Sequence, residues 1–220
     1  MSKARNGRSS QLQESSGQPR RIPTQKRARD RVEKILSVAL QLIAEKGSEA
    51  MKMSEIVELA DVSFGSLYQY FPDKTAIIRT LAERFNERGH ACVAGELEYV
   101  GTEAELRPAL VRIADAYYSF FLTEPVMRDI WAATQADRLL QELEAADTEY
   151  LAMILCSRLK RLRPGEDAEA LATLARLLMQ LVAAAVRYVI LLERKEGDHI
   201  MVMFKRSLPQ DPFSLLPAQA

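Results

Sequence analysis

The stretch MSEIVELADVSFGSLYQYFPDK, residues 53–74, decides the fold. Ile56, Leu59 and Ala60 recur at the spacing of one inner face of a short helix. Asp61-Val62-Ser63 reads as a turn, and Ser63 suits the N-cap of a second short helix, Phe64 to Tyr70. Phe71-Pro72 ends that helix, because a residue before proline is pushed out of the helical basin. Asp73 then caps a longer helix carrying Ile77, Ile78, Leu81 and Phe85 on one side. Two short helices joined by a tight turn make a helix-turn-helix. A helix enters the DNA major groove only if it protrudes and is braced from behind. Ile56, Leu59, Ala60, Val62 and Leu67 are the expected brace. Phe64, Ser66, Tyr68 and Gln69 form the expected outer face. The small residues Ser63, Gly65 and Ser66 let the free amides at the helix start approach a phosphate. Packed helical hairpins also occur without nucleic acid, so a non-DNA helical adaptor stays open at this point.

Upstream, Val32, Ile35, Leu36, Ala39, Leu40, Leu42 and Ile43 form a 3.6-residue stripe from Arg27 to Lys46, and Gly47 is a natural stop. Residues 1–23 hold no apolar run, which predicts no secretory signal and a disordered arm. The chain of 220 residues balances 30 basic against 30 acidic residues, but unevenly. Residues 1–34 hold ten basic and three acidic residues, a net of +7, so the remainder carries −7. That asymmetry suits an arm that meets a polyanion. A solubilising tail has the same composition. Cys92 and Cys156 form no disulfide framework, which favours a reducing cytoplasm.

Downstream the chain again reads as helix. Thr102 and Glu105 have capping-box spacing, with Pro108 as an alternative first turn. Leu106, Leu110, Ile113, Tyr117 and Phe121 form an apolar face. Pro125 suits the start of a short helix with Ile130 and Trp131. A long amphipathic stretch from Ala136 to Arg163 carries Leu139, Leu143, Tyr150, Ile154, Leu155, Leu159 and Leu162, and Pro164-Gly165 stops it. The next helix, 168–192, is polar only at Glu169, Thr173, Arg176, Gln180 and Arg187. These share one narrow stripe, so the apolar band is wider than one core-facing side needs. Burial against a second copy explains the width. So does a central position in a monomeric bundle. Candidate dimer residues are Leu174, Leu178, Leu181, Ala185, Val189 and, after a break at Gly197, Met203. No segment alternates as a strand does, so the class is all-α with about nine helices. The interruptions in 168–192 argue against a membrane span.

The segment from Ile35 to Leu81 resembles the DNA-binding domain of the TetR family of bacterial transcriptional regulators. The likeness rests on Ile35, Ala39, Leu42, Ile43, Glu45 and Gly47, on Ile56, Leu59-Ala60 and Val62-Ser63, and on Gly65 through Phe71 with Lys74. It implies a cytoplasmic bacterial homodimer, with binding to a palindromic operator relieved by a small ligand. By this resemblance Ser63 caps the recognition helix, with Gly65 at its start. Phe64, Ser66 and Gln69 face base edges. Tyr68, Tyr70, Lys52 and Lys74 approach phosphates. Three positions depart from the pattern: Met51 replaces a capping Ser or Thr, Asp61 a turn glycine, and Phe64 a Lys or small residue. Phe64 either meets a thymine methyl or packs on a neighbouring helix.

The implied organisation is an arm at 1–23, a DNA-binding domain at 24–84 (motif about 52–71), an effector and dimerisation domain at 85–208, and a tail at 209–220. Candidate pocket residues are Tyr117, Tyr118, Phe121, Trp131, Tyr150, Met153 and Met179, whose character favours an apolar or aromatic effector. The enzymatic rival is a di-iron type oxidase, because Glu87-x-x-His90 and Glu196-x-x-His199 have the required spacing. Gly89 and Gly197 break those pairs. No nucleophile motif surrounds the cysteines or serines. The sequence therefore predicts no enzyme, no cofactor and no metal.

Overall fold

The computed structural model describes residues 21–217, which form nine α-helices and no strand among the described residues. The helices are α1 (Arg21–Ala50), α2 (Met53–Leu59), α3 (Phe64–Tyr70), α4 (Lys74–Glu98), α5 (Glu103–Thr123), α6 (Val126–Ala136), α7 (Arg138–Leu162), α8 (Ala168–Val189) and α9 (Arg194–Ser207). Helix α1 begins at Arg21, inside the stretch expected as an arm. Residues 1–20, the rest of that expected arm, lie outside the described residues.

Two apolar cores organise the helices. The first joins α1, α2, α3 and the start of α4 through Ile35, Ile43, Ile56, Leu67, Ile77 and Leu81. Each such fully buried side chain contributes roughly 1.5–3 kcal/mol relative to exposure. Ile130 of α6 and Leu140 of α7 complete this core. The second core fills the space between α4, α5, α7, α8 and α9, with Leu106, Leu110, Leu155, Leu159, Leu178 and Val186 at its centre.

Local chemistry sets the helix ends. Gly47 takes φ 82 and ψ 160, non-helical values that interrupt α1 at the expected stop, and a short second helical piece follows across the kink. Glu105 closes the start of α5, its Oε2 accepting from Gly101 N and Thr102 N at 2.8 Å each. Pro108 sits inside α5, beyond the first turn. Two arginines satisfy carbonyls at helix ends. Arg158 donates to Val100 O and Glu98 O at 3.2 Å, beyond α4. Arg107 donates to Lys205 O at 2.9 Å and Leu208 O at 3.2 Å, at the end of α9.

Three expectations shift. Helix α7 starts from Asp137, whose Oδ1 accepts from Leu139 N at 2.9 Å. That register turns Leu140 inward and leaves Leu139 and Tyr150 exposed. Gly197 does not break the last helix. It lies in the first turn of α9, buried against α8, where any Cβ would sit 2.9 Å from Val189 O. Residues 209–217 of the expected tail are packed against the domain, and 218–220 lie outside the described residues. Pro212 and Phe213 are buried in a 3-10 turn, with the Arg163 guanidinium 4.2 Å over the Phe213 ring. Helix α8 is long and apolar enough to cross a membrane by composition alone. Its inner residues Leu171, Leu174, Leu178 and Val186 belong to the second core.

Candidate DNA interface and effector cavity

The helix-turn-helix forms as the residues dictate. Met51 is buried, and Lys52 takes the N-cap position of α2. Glu55 reaches back, its Oε2 accepting from Lys52 N at 3.0 Å, and it also pairs with Lys46. The missing Ser or Thr cap is thereby replaced from within the first turn. Asp61 adopts φ 49, the left-handed conformation that Asp tolerates better than most residues. Ser63 Oγ accepts from Ser66 N at 3.1 Å and starts α3. Asp73 Oδ1 accepts from Ala76 N at 2.8 Å and starts α4.

Helix α3 buries Leu67, while Phe71 seals its end. Phe64 and Tyr68 point outward, 51% and 48% exposed, with their rings stacked at 6.3 Å. Phe64 thus keeps about half of its surface free on the outer side of α3. Gly65, Gln69 and Lys52 are exposed, and Ser66 and Tyr70 are half-buried. Lys74 is half-buried, and its Nζ donates to Glu49 O at 3.0 Å, beyond the Gly47 kink. Leu59 is a correction: it is 53% exposed, on the outer side of α2, so Ile56 and Ala60 brace the motif without it. Arg31 is a residue that stripe-reading missed. Its Nη1 donates to Ser66 Oγ at 3.2 Å, tying α1 to the recognition helix.

The second site is a cavity of about 110 Å³ enclosed by α4, α5, α6, α7 and α8. Four of the seven expected pocket residues line it: Tyr117, Phe121, Trp131 and Met179. Tyr118 does not. It is buried toward α9, where its hydroxyl donates to Asp198 Oδ1 at 3.1 Å. Met153 is exposed, beside a separate shallow groove on α7. Tyr150 is exposed and covers His90 from outside, ring to ring at 4.3 Å. The cavity also takes Phe85 and Phe120, and a polar end formed by Glu144, Asp147 and Arg187. Sequence periodicity hid these three, since charged residues on a core-facing turn look like solvated ones.

Burial dominates the electrostatics at that end. It pushes the Tyr117 hydroxyl and the Asp147 carboxyl above their ordinary ranges, and it raises the Cys92 thiol on the cavity wall. His90 Nε2 lies 2.6 Å from Asp147 Oδ1, so His90 is engaged across α4 and α7 rather than with Glu87. Among the described residues, no three His, Cys, Asp or Glu side chains gather as metal ligands would.

Residues 35–81 match the family model for bacterial regulatory proteins of the tetR family, and residues 104–211 match the tetracyclin repressor-like C-terminal domain. The chain belongs to the tetR family. The family's members are transcriptional regulators, not enzymes, which removes the oxidase reading. Residues of this tetR-family chain are 36% identical over 76 positions to the HTH-type transcriptional repressor KstR of Mycolicibacterium smegmatis, covering 32% of this chain and 37% of that one. They are 40% identical over 58 positions to the uncharacterized regulator YvdT of Bacillus subtilis, covering 26% and 30%. The chain thus matches about a third of the length of these curated relatives. Among solved structures, a TetR-family regulator from Pectobacterium atrosepticum superposes with TM-score 0.66 at 16% identity, over 89% of this chain and 98% of that one. One from Streptomyces coelicolor gives 0.62 at 24%, over 85% and 99%. These likenesses show the fold.

Three of the expected dimer residues are turned inward. Leu174, Leu178 and Val189 are buried in the chain's own second core. Ala185 is half-buried, while Leu181 and Met203 are exposed. Leu177, Tyr188, Leu191 and Val202 are also exposed, so the free apolar surface of α8, α9 and the turn between them keeps Leu181 and Met203 from the expected set but not Leu174, Leu178 or Val189. Periodicity marks apolar faces but not which of two such faces the protomer keeps.

Proposed function

We propose that this protein is a cytoplasmic homodimeric repressor that binds a palindromic operator and is released from it by a small ligand in the cavity. The carrying observation is that the cavity wall and the DNA-binding core share side chains. Ala82, Ile130 and Leu140 are buried in the first core and also line the cavity. Close-packed side chains transmit a volume change instead of absorbing it. A ligand that moves α6 against α1, or α4 along its axis, therefore shifts the helix-turn-helix. Two recognition helices must sit about 34–36 Å apart to meet successive half-sites, so a small shift lowers affinity.

In this reading Phe64, Ser66 and Gln69 meet base edges, and Gln69 suits adenine. Lys52, Tyr68, Tyr70 and Lys74 serve phosphates, with Ser63 and Gly65 opening the helix start. The dimer forms through the outward side of α8 and α9, where Leu177, Leu181, Tyr188, Val202 and Met203 are exposed large apolar side chains that a second copy would cover. The test is a mobility shift on DNA upstream of the gene, with sedimentation to establish the dimer. Gln69→Ala should change sequence preference, and Tyr70→Ala should weaken all sites alike. No shift on any such DNA, or a monomer at working concentration, refutes the reading.

A further inference from the structure

One feature of the cavity is not explained by its apolar walls. Arg187 enters from α8, and its Nη2 pairs with Glu144 Oε1 at 2.5 Å, both side chains being largely buried. Glu144 is fully engaged. Trp131 Nε1 donates to its Oε1 at 3.3 Å and Gln135 Nε2 donates to its Oε2, while the Thr134 hydroxyl, which donates to Trp131 O at 2.7 Å, lies 3.3 Å from the same Oε2. Arg187 Nε has no hydrogen-bond partner. Among the described residues it is the single buried side-chain nitrogen or oxygen in that state. Buried polar groups are almost always satisfied, so an orphan at a cavity wall asks for an acceptor.

We propose that the cavity takes an uncharged molecule of single-ring size bearing one acceptor oxygen, of the ketone, ester or amide type, which it offers to Arg187. This rests on reading the cavity as the effector site. Size is bounded by the volume of about 110 Å³, below the roughly 150 Å³ of an apolar cavity that admits benzene, so nothing larger than one ring fits. Charge is set by the lining. Arg187 is paired with Glu144 and Asp147 with His90, so the polar end offers no uncompensated charge to an anion or a cation. Arg88 already lies 5.5 Å and 5.1 Å over the Phe85 and Phe120 rings, the faces a cation would seek. Arg187 Nε is covered by neighbouring atoms. Reaching it requires the Arg187 side chain to rotate, which disturbs Glu144 and, through Trp131 and Thr134, helix α6. Ligand chemistry and signal thus meet at one residue.

The test uses four one-ring probes on the full chain by calorimetry: acetophenone, ethylbenzene, benzoate and benzylamine. Acetophenone should bind about 10- to 100-fold tighter than ethylbenzene, the range for a hydrogen bond to a charged donor. Benzoate and benzylamine should bind more weakly than acetophenone. The carbonyl stretch of bound acetophenone should move to lower frequency, a measurement on the parent that needs no variant. Arg187→Met combined with Glu144→Gln leaves no lone charge and should reduce acetophenone to the affinity of ethylbenzene. Equal affinity for acetophenone and ethylbenzene, an unshifted stretch, tighter benzoate or benzylamine, or no binding of any probe overturns the proposal. Acetophenone that binds with a shifted stretch yet leaves operator affinity unchanged upholds the ligand chemistry and removes the effector role.

Discussion

Arg31 and Ser66 are joined across two helices, with the guanidinium Nη1 3.2 Å from the hydroxyl oxygen at the first turn of α3. Ser66 N is already held by Ser63 Oγ. The start of the recognition helix is thus fixed from its own cap and from α1 together. Arg31 keeps further donors for a phosphate, because a guanidinium has five.

Arg31→Ala should therefore weaken DNA binding across sequences. It should also lower the slope of log K against log salt by about one, the signature of one lost phosphate contact. Fluorescence anisotropy at several salt concentrations reads both. An unchanged slope would assign Arg31 to bracing α3 only.

Gly47 lies at φ 82 and ψ 160, a region open to glycine and almost nothing else. A Cβ there would meet no atom within 4 Å, so any penalty is backbone strain alone. Gly47→Ala should cost about 1–3 kcal/mol. Gly95→Ala, also in open space but inside α4, should instead stabilise by up to about 1 kcal/mol. Urea unfolding of the two variants side by side checks the contrast. A neutral Gly47→Ala would mean that the kink relaxes at no cost.

How much of the fold and of the two sites is legible in the sequence depends on the kind of signal that carries each part. Ser63, Asp73 and Pro72 act within a few residues, so the helix-turn-helix and its boundaries can be read directly. Ile35, Leu67 and Ile77 are readable because each belongs to one unambiguous stripe. Leu59 misleads because a seven-residue helix has too few turns to separate inner from outer positions. The inward Leu174 and Leu178 mislead because α8 is apolar on two sides. Glu144, Asp147 and Arg187 are invisible because their pairing joins residues far apart in sequence, and a lone charge on a helix does not show its partner.

Gly197→Ala should destabilise through contact rather than strain. Its Cβ would lie 2.9 Å from Val189 O and 3.1 Å from Tyr118 Oη. The carbonyl is backbone and cannot swing away, so α9 must lift from α8. Overpacking of this kind costs about 1–3 kcal/mol, or about 2–4 °C in Tm per kcal/mol at this chain length. Thermal unfolding checks it. In the proposed dimer Val202 and Met203 ride on α9 into the interface, so the variant should also dissociate at higher concentration than the parent in sedimentation. A variant with unchanged Tm would show that the two helices separate freely at this point.

Asp147 gives a pH dependence with a definite sign. Burial, the largest influence, holds its carboxyl above the ordinary range, against the opposing hydrogen bond and charge of His90 and the charge of Arg187. A folded value above the unfolded one means that the proton favours the fold. That contribution is fully present below the unfolded pKa and is lost as pH rises through the raised one. At neutral pH, above the ordinary carboxyl range, Asp147 is therefore a cost, and Asp147→Asn removes it while keeping an oxygen near His90. The variant should have a higher Tm than the parent at neutral pH, and the difference should shrink as pH falls through the carboxyl's folded value. Thermal unfolding of both proteins across a pH series measures the gap. A variant less stable than the parent at neutral pH would mean that the His90 pair outweighs desolvation, and the pH dependence would take the opposite sign.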